Sequence, residues 1–270
     1  MATQTTITPP PALSSARGVG LRTVVALFVC ASAALLYALP GQDVWLGAVL
    51  AAAAAVAAAA NHQARVVHAA VAWLLVYLAA VALGGPAWPI PALAALAVCG
   101  AVAAVRRPAW RSVRADWLRP GRFTPLIWLL LAVTVLVSAV ALVVWAHLAH
   151  PDTSAIRAEF GSLPLIALLP LGVALAAVNA AAEETLFRGL LMSALNQLIP
   201  VRWLVVAVQA VAFGIAHIAG FPGGPAGMAL AAFYGAVLGV IRQRSGGLLP
   251  CWAAHLCADS VIFGLMVGLH

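Results

Sequence analysis

The sequence has few charged residues. Only 8% of its 270 residues are Asp, Glu, Lys or Arg and 65% are apolar, whereas soluble domains carry about 25% charged and about 45–50% apolar residues. Long apolar runs recur along nearly the whole chain, and each is close to the roughly 20 residues that cross the hydrocarbon of a bilayer. This shortage of charge argues against a soluble globular fold. It predicts an all-α, polytopic bundle of transmembrane helices.

Cysteine is also scarce. The four cysteines, at positions 30, 99, 251 and 257, lie in apolar segments without the short spacing of a metal knuckle. The sequence therefore indicates neither a disulfide framework nor a cysteine-based zinc site. Their expected role is the packing of small side chains.

Lysine is absent, and the placement of the fourteen arginines predicts the topology. Six of them lie in the joint 106–122, and a basic joint of this kind is typical of a cytoplasmic loop that faces anionic lipid headgroups. With that joint inside, alternation puts twelve arginines inside and only Arg157 outside, while the fourteenth, Arg188, belongs to neither side. The nine candidate spans lie near residues 22–39, 43–60, 66–84, 88–105, 125–147, 164–182, 203–219, 226–241 and 248–268.

We therefore expect a multi-pass protein of eight or nine spans in the cell membrane, with a cytoplasmic N-terminus. The composition, rich in alanine and with arginine as its only cationic side chain, favours a bacterial plasma membrane. The net charge of +7 is explained by the basic joint. Nucleic acid is not an expected partner.

Composition divides the chain into four segments. Residues 1–20 are expected to form a disordered cytoplasmic N-terminus, and residues 21–105 an N-terminal transmembrane extension whose spans carry almost no ionisable side chains. Residues 106–124 form the basic cytoplasmic linker, and residues 125–270 the functional core. Within the core, Gly235 and Gly239 form a small-xxx-small pair, which predicts a close contact between helices.

Ionisable side chains inside the apolar spans of the core form three clusters. Each such residue costs about 2.5–3.5 kcal/mol at the centre of a span, so it usually marks a buried functional site. The clusters are Glu183, Glu184 and Arg188 in the sixth span, Phe213 and His217 in the seventh, and His255 and Asp259 in the ninth. One carboxylate and two imidazoles from three helices are expected to converge on a water molecule, with or without a metal.

Helical geometry gives the two glutamates different roles. Glu184 and Arg188 are four residues apart, so they can form an ion pair on one face. Glu183 points about 100° away from Glu184, which leaves it without that partner and suits it to general acid/base chemistry. Phe213 lies four residues before His217 and is expected to pack on the imidazole ring.

The ordered motifs resemble the CPBP family of intramembrane proteases, the CAAX protease and bacteriocin-processing group that is also called the Abi family. The shared pattern is Glu-Glu-xxx-Arg, then Phe-xxx-His, then His-xxx-Asn/Asp, and it covers roughly residues 125–265. The resemblance implies hydrolysis of a peptide bond, with Glu183 as general base and His217 as its partner in polarising the water. It assigns to His255 and Asp259 the stabilisation of the tetrahedral intermediate. The supporting residues are then Glu184, Arg188 and Phe213.

Position 259 departs from the most frequent form of this pattern. The prenyl-protein endopeptidases usually have Asn there, and an ionised Asp cannot donate a hydrogen bond. Asp259 is therefore expected to orient His255 or to bind a cation.

The resemblance leaves the cofactor open. Glu183, His217 and His255 match the ligand types of a catalytic zinc site, and the family is described both as metalloproteases and as glutamate proteases without a firmly held metal. Zinc or another divalent metal and the absence of any cofactor are both retained as alternatives. The sequence has no His-Glu-xx-His motif that would place two ligands on one helix.

Counting residues along the spans reveals two conflicts. His217 lies about 15 residues, or roughly 22 Å, from the cytoplasmic start of its span, whereas His255 lies about 7 residues, or roughly 11 Å, from its own. The two rings meet only if the seventh span begins well inside the cytosol, the helices tilt strongly, or a boundary is misplaced. The sixth segment is apolar from Leu163 to Ile199, too long for one crossing, so we expect it to continue past the headgroups or to break near Asn179.

The leading hypothesis is an intramembrane endopeptidase of the CAAX prenyl protease 2-like class, which hydrolyses a peptide bond near a membrane-associated or apolar C-terminal segment. Its expected partners are membrane lipids and a peptide or lipidated protein substrate, and the sequence indicates no oligomeric state. One alternative is a non-catalytic bacteriocin-immunity or peptide-binding membrane protein. The other is a proton-coupled transporter, which is disfavoured because the two halves show no inverted repeat.

Overall fold

The computed structural model describes residues 16–35, 44–82, 117–160 and 162–268, and every regular element within them is helical. The helices are α1 (Ala16–Leu35), α2 (Val44–Ala60), α3 (Ala64–Ala82), α4 (Pro125–Ala149), α5 (Ser154–Phe160), α6 (Leu165–Glu184), α7 (Met192–Leu198), α8 (Arg202–Ala216), α9 (Gly224–Ser245) and α10 (Leu249–Val267). A π-helical segment, Thr185–Leu191, joins α6 to α7. The predicted all-α fold is confirmed.

Most of these helices match the predicted spans. Helices α3, α4, α9 and α10 and the continuous helix Leu165–Leu198 are long and apolar enough to cross a membrane, and the apolar parts of α1, α2 and α8 are shorter. Together they correspond to eight of the nine predicted spans, while the predicted span 88–105 lies outside the described residues. The chain is a multi-pass membrane protein.

Helix α4 shows how the sequence builds a lipid-facing span. It begins after Thr124, whose hydroxyl oxygen accepts a hydrogen bond from the backbone N–H of Ile127 at 3.3 Å, and Pro125 occupies the first turn, where a missing N–H costs nothing. Its outer face is apolar, since Leu136 is 66% exposed and Val140 is 56% exposed. A continuous apolar surface of this kind is typical of contact with lipid.

The N-terminal helices pack directly on the core. One apolar cluster runs from α1, α2 and α3 to the π-helical segment and α8. The ring of Trp73 in α3 meets that of Phe187 edge-on, with centroids 5.3 Å apart. The backbone N–H of Arg65 donates to Oε1 of Gln197 in α7 at 3.2 Å. The predicted N-terminal extension, where it is described, therefore shares one hydrophobic core with the helices that carry the three clusters.

The described part of the basic linker, residues 117–124, docks on the turn between α9 and α10. The N–H of Arg122 donates to the carbonyl oxygen of Ser245 at 3.0 Å, and the N–H of Leu248 donates to that of Arg119 at 2.9 Å. Gly247 lies so close to the linker backbone that a Cβ there would overlap it. The linker thus helps to fix the start of α10, the helix of the third cluster.

The sixth apolar segment is one helix from Leu165 to Leu198, with no break near Asn179. Of the two expectations for this segment, continuation is confirmed. It ends because Ile199 precedes Pro200 and adopts the extended conformation (φ −114°, ψ 117°) that a following proline favours. Nothing in the residue pattern predicts the π-helical segment in its middle.

The same helix explains how the two histidines meet. The turn between α9 and α10 lies beside its middle, because Leu248 packs next to Gly189 and Nε of Arg242 donates to the carbonyl oxygen of Arg188 at 3.2 Å. From there the helix runs on to Leu198, a rise of at most about 14 Å, before α8 begins. Helix α8 therefore starts further from the site than α10 does, so the two helices do not begin at one level.

The predicted and observed ends of the seventh span differ by a few residues. The seventh span was expected to extend to residue 219, but α8 ends at Ala216 and His217 is its C-terminal cap. The chain then turns through residues 217–223, which include Gly220, Pro222 and Gly223. The apolar residues of this stretch belong to a loop.

Candidate active site

Members of all three clusters line one cavity of about 790 Å³ between α4, α6, α8, α9 and α10. Among the described residues that line it, the ionisable groups are two carboxylates and two imidazoles, Glu183, Asp259, His217 and His255. Most of the remaining wall is apolar. The ionisable groups are therefore gathered at a single place in an otherwise hydrophobic space.

Glu183 is the central group. Its Oε2 atom lies 3.8 Å from Nε2 of His217 and 3.7 Å from Nε2 of His255. The three side chains come from α6, α8 and α10, so only the packing of the bundle brings them together. Glu183 is 4% exposed, and the carboxylate thus faces the imidazoles in an enclosed space.

His217 is oriented by its own helix. Its Nδ1 atom lies 2.8 Å from the carbonyl oxygen of Phe213. Because a carbonyl oxygen only accepts, Nδ1 carries the proton, and a neutral ring then presents an unprotonated Nε2 to Glu183. The Phe213 ring packs on the imidazole with centroids 4.4 Å apart, which confirms the predicted contact.

Glu184 connects two helices. Its Oε1 atom accepts a hydrogen bond from Nη1 of Arg188 at 2.8 Å, which confirms the predicted ion pair. The same oxygen accepts from Nδ1 of His255 at 2.7 Å. Arg188 is fully buried, and its guanidinium carbon lies 4.1 Å from the centre of the Phe213 ring. Glu184 is thus the group that holds the His255 ring, a role that sequence reasoning missed because 71 residues separate the two.

Asp259 lies on the other side of the His255 ring. Its Oδ1 atom is 3.4 Å from Nε2 of His255, and its Oδ2 atom accepts a hydrogen bond from Nδ2 of Asn179 at 2.9 Å. The Asn179 amide also lies 3.4 Å from Oε1 of Glu183. It therefore bridges two carboxylates. Sequence reasoning named Asn179 only as a place where the helix might break, although its position four residues before Glu183 put it on the same face.

One family model matches the part of the chain that holds the three clusters. Residues 162–261 match the family model described as Type II CAAX prenyl endopeptidase Rce1-like. This match is consistent with the resemblance of the three clusters to the CPBP family. No curated protein and no solved structure gives a significant match to the chain.

The matched residues contain all three clusters, from Glu183 to Asp259, and begin after α4. The similarity of residues 162–261 to these endopeptidases supports the class of CAAX-type intramembrane protease. The roles of the individual residues are a separate question, which depends on the geometry of the site.

That geometry does not fit a metal well. Among the described residues, no group of three or more His, Cys, Asp or Glu side chains is arranged to hold a metal ion. Tetrahedral zinc with bonds of about 2.0–2.2 Å brings its ligand atoms to about 3.4 Å from one another. The distances from Oε2 of Glu183 to Nε2 of His217 and of His255 are longer, 3.8 and 3.7 Å. The chemistry derived below therefore uses side chains and water alone.

Proposed function

We propose that the functional core is an intramembrane endopeptidase in which Glu183 activates a water molecule for attack on a peptide carbonyl carbon. The observation that supports this most directly is the approach of Glu183 to Nε2 of His217 at 3.8 Å. Both atoms are acceptors when the carboxylate is ionised and the imidazole is neutral. A water placed about 2.8 Å from each donates one hydrogen to each acceptor and keeps a lone pair for the attack.

The proton then follows a short path. Glu183 takes a proton from the water as the oxygen bonds to the carbonyl carbon, and it later gives this proton to the leaving amine nitrogen as the carbon–nitrogen bond breaks. His217 holds the second hydrogen of the water through its Nε2 atom. His255, fixed at Nδ1 by Glu184 at 2.7 Å, places its Nε2 atom 3.7 Å from the same Glu183 oxygen.

The cavity walls support an apolar substrate. Leu130 and Val137 of α4, Phe233 of α9 and Ile262 of α10 line it, and apolar walls with a few polar groups are typical of sites that bury an apolar ligand. We therefore propose a membrane-associated peptide or lipidated protein that is cleaved near an apolar C-terminal segment. Such a segment leaves lipid and enters the cavity without exposure to water.

The test uses the full-length protein in lipid vesicles with two quenched fluorescent peptides. One carries a farnesylated cysteine followed by three apolar residues, and the other has the same sequence without the lipid. Glu183→Gln removes the base and is expected to lower the cleavage rate by at least about 100-fold, with unchanged thermal unfolding. The matched control is Glu159→Gln, because Glu159 is exposed on α5.

The outcomes separate the hypotheses. Cleavage by Glu183→Gln at the wild-type rate would show that the catalytic assignment is wrong. A wild-type protein that binds the peptides and cleaves neither would instead favour the non-catalytic peptide-binding alternative.

We also propose a cytoplasmic N-terminus in a bacterial plasma membrane. Arg65 at the start of α3 contacts Gln197 at the end of α7, and Nε2 of Gln243 near the end of α9 donates to the carbonyl oxygen of Arg202 at 2.9 Å. These arginines thus share one side of the bundle, as the rule for cytoplasmic loops expects, while Arg157 lies beside the C-terminal end of α10. Thiol labelling of Arg65→Cys and Arg157→Cys in oriented vesicles tests this, and labelling from the same side would contradict it.

A further inference from the structure

Attack on a peptide carbonyl places negative charge on its oxygen, and a site that stabilises this oxyanion needs a hydrogen-bond donor. Neither residue of the third cluster supplies one readily. Asp259 accepts only, as long as it is ionised. His255 already directs its Nδ1–H to Glu184 at 2.7 Å, and its Nε2 atom lies 3.4 Å from Oδ1 of Asp259, so an N–H at Nε2 faces that carboxylate.

Other polar side chains that line the cavity direct their hydrogens elsewhere. The hydroxyl of Thr134 donates to the carbonyl oxygen of Leu130 at 2.6 Å, and that of Ser138 donates to the carbonyl oxygen of Val135 at 3.1 Å. Both hydroxyls are thus held by the backbone of α4.

The amide of Asn179 is held as well, but by the acidic groups of the site. It donates to Oδ2 of Asp259 at 2.9 Å and lies 3.4 Å from Oε1 of Glu183. An oxyanion would have to displace one of these carboxylates from the amide.

The hydroxyl of Tyr234 in α9 is different. Tyr234 lines the same cavity, and its ring stands edge-on to that of His255 with centroids 5.7 Å apart and an angle of 76° between the planes. Its hydroxyl oxygen is buried and has no hydrogen-bond partner in the part of the chain that the structure describes. A buried hydroxyl normally finds a partner, because leaving one unsatisfied costs stability.

We propose that Tyr234 is a further catalytic residue, whose O–H donates a hydrogen bond to the oxyanion of the tetrahedral intermediate. The inference rests on the proposed endopeptidase function. No covalent bond to Tyr234 forms: the hydroxyl keeps its proton throughout and the hydrogen bond strengthens as charge develops on the substrate oxygen. Tyr234 then supplies the donor that an Asp at position 259 cannot.

The test is Tyr234→Phe, which removes one oxygen atom and keeps the ring beside His255. With the same fluorescent peptides, kcat is expected to fall by about 100-fold to 1,000-fold, the usual effect of losing one oxyanion donor, while KM changes by less than about twofold. The matched control is Tyr77→Phe. Tyr77 is also buried, but its hydroxyl donates to the carbonyl oxygen of Ser32, between α3 and α1, so its loss should leave kcat unchanged.

A second variant separates catalysis from folding. Adding Asp259→Asn to Tyr234→Phe introduces an amide donor beside His255, and at least about tenfold of the lost kcat should return. A Tyr234→Phe protein that cleaves at the wild-type rate would overturn the inference, while an inactive Glu183→Gln would still uphold the proposed function. A rise in KM at constant kcat, or an equal loss in Tyr77→Phe, would also overturn it. If the wild type cleaves neither peptide, the proposed endopeptidase function is contradicted, and the inference about Tyr234 falls with it.

Discussion

Oε1 of Glu184 lies 2.7 Å from Nδ1 of His255 and 2.8 Å from Nη1 of Arg188. One carboxylate oxygen therefore joins a fully buried guanidinium on the π-helical segment to a histidine on α10. The two adjacent glutamates of the sequence thus face different partners. Glu183 faces the cavity, and Glu184 positions the imidazole ring of His255.

Glu184→Gln is expected to damage the fold more than Glu183→Gln does. The substitution leaves Arg188 buried without a counter-ion, and breaking a buried ion pair in this way costs about 3–5 kcal/mol. We expect a lower free energy of unfolding together with a lower kcat. Denaturant and thermal unfolding in detergent measure this for both variants, and equal stability of the two would contradict the role given to Glu184.

Asn179→Ala is expected to lower kcat by about tenfold, because the two carboxylates of Glu183 and Asp259 lose the amide between them. The matched control is Asn196→Ala, since Nδ2 of Asn196 donates only to the carbonyl oxygen of Met192 in its own helix at 2.7 Å. Steady-state kinetics on the same peptide compares the two variants. Similar rates for both would show that the Asn179 bridge has no part in the reaction.

Gly214→Ala is expected to disturb the contact between α8 and α9. A Cβ at position 214 would lie 2.7 Å from the Cβ of Ala232 and from the carbonyl oxygen of Met228, and overpacking of this kind costs about 1–3 kcal/mol. Since Phe213 and His217 flank this position on α8, activity should fall together with the unfolding temperature. Gly264→Ala on α10 is the control, because nothing lies within 4 Å of its added Cβ. A Gly214→Ala protein as stable as that control would contradict the proposed packing.

The small-residue pair of α9 shows what spacing alone can predict. Gly235 packs against Phe213 and Ala210, and Gly239 packs against Val206 and Gln209. The predicted close contact between helices is thus confirmed. The sequence could not tell that the partner is α8, because a small-xxx-small pattern describes one face of one helix and says nothing about its neighbour.

The helices and the members of the site were largely predictable, and the contacts between helices were not. Apolar length placed α4 within two residues of its actual end, because a lipid-facing helix has to be continuously hydrophobic. Spacing of four placed Arg188 on Glu184 and Phe213 on His217, because such pairs depend only on the helix itself. The link from Glu184 to His255 depends on how two helices pack, and no local pattern encodes it.

The conflict between the depths of His217 and His255 arose from an assumption about where the helices start. Counting residues treated every helix as starting at one level, whereas the turn before α10 lies beside Gly189 and the turn before α8 follows Leu198. The predicted C-terminal end of the seventh span lies a few residues beyond the observed one, because apolar residues continue past the helix. Ile218 and Phe221 are apolar, but the glycines and the proline around them end the helix at Ala216.

The edge-on stack of Trp73 on Phe187 continues inward, since Phe187 meets Phe213 with ring centroids 4.9 Å apart. The segment that matches the family model starts only at residue 162. The ring of Trp73 therefore comes from outside this segment. A fragment excised at the family boundary would leave Phe187 facing lipid or water on one side. The segment that matches the family model therefore depends on α3 for part of its core, and the smallest unit able to keep His217 in place includes α3.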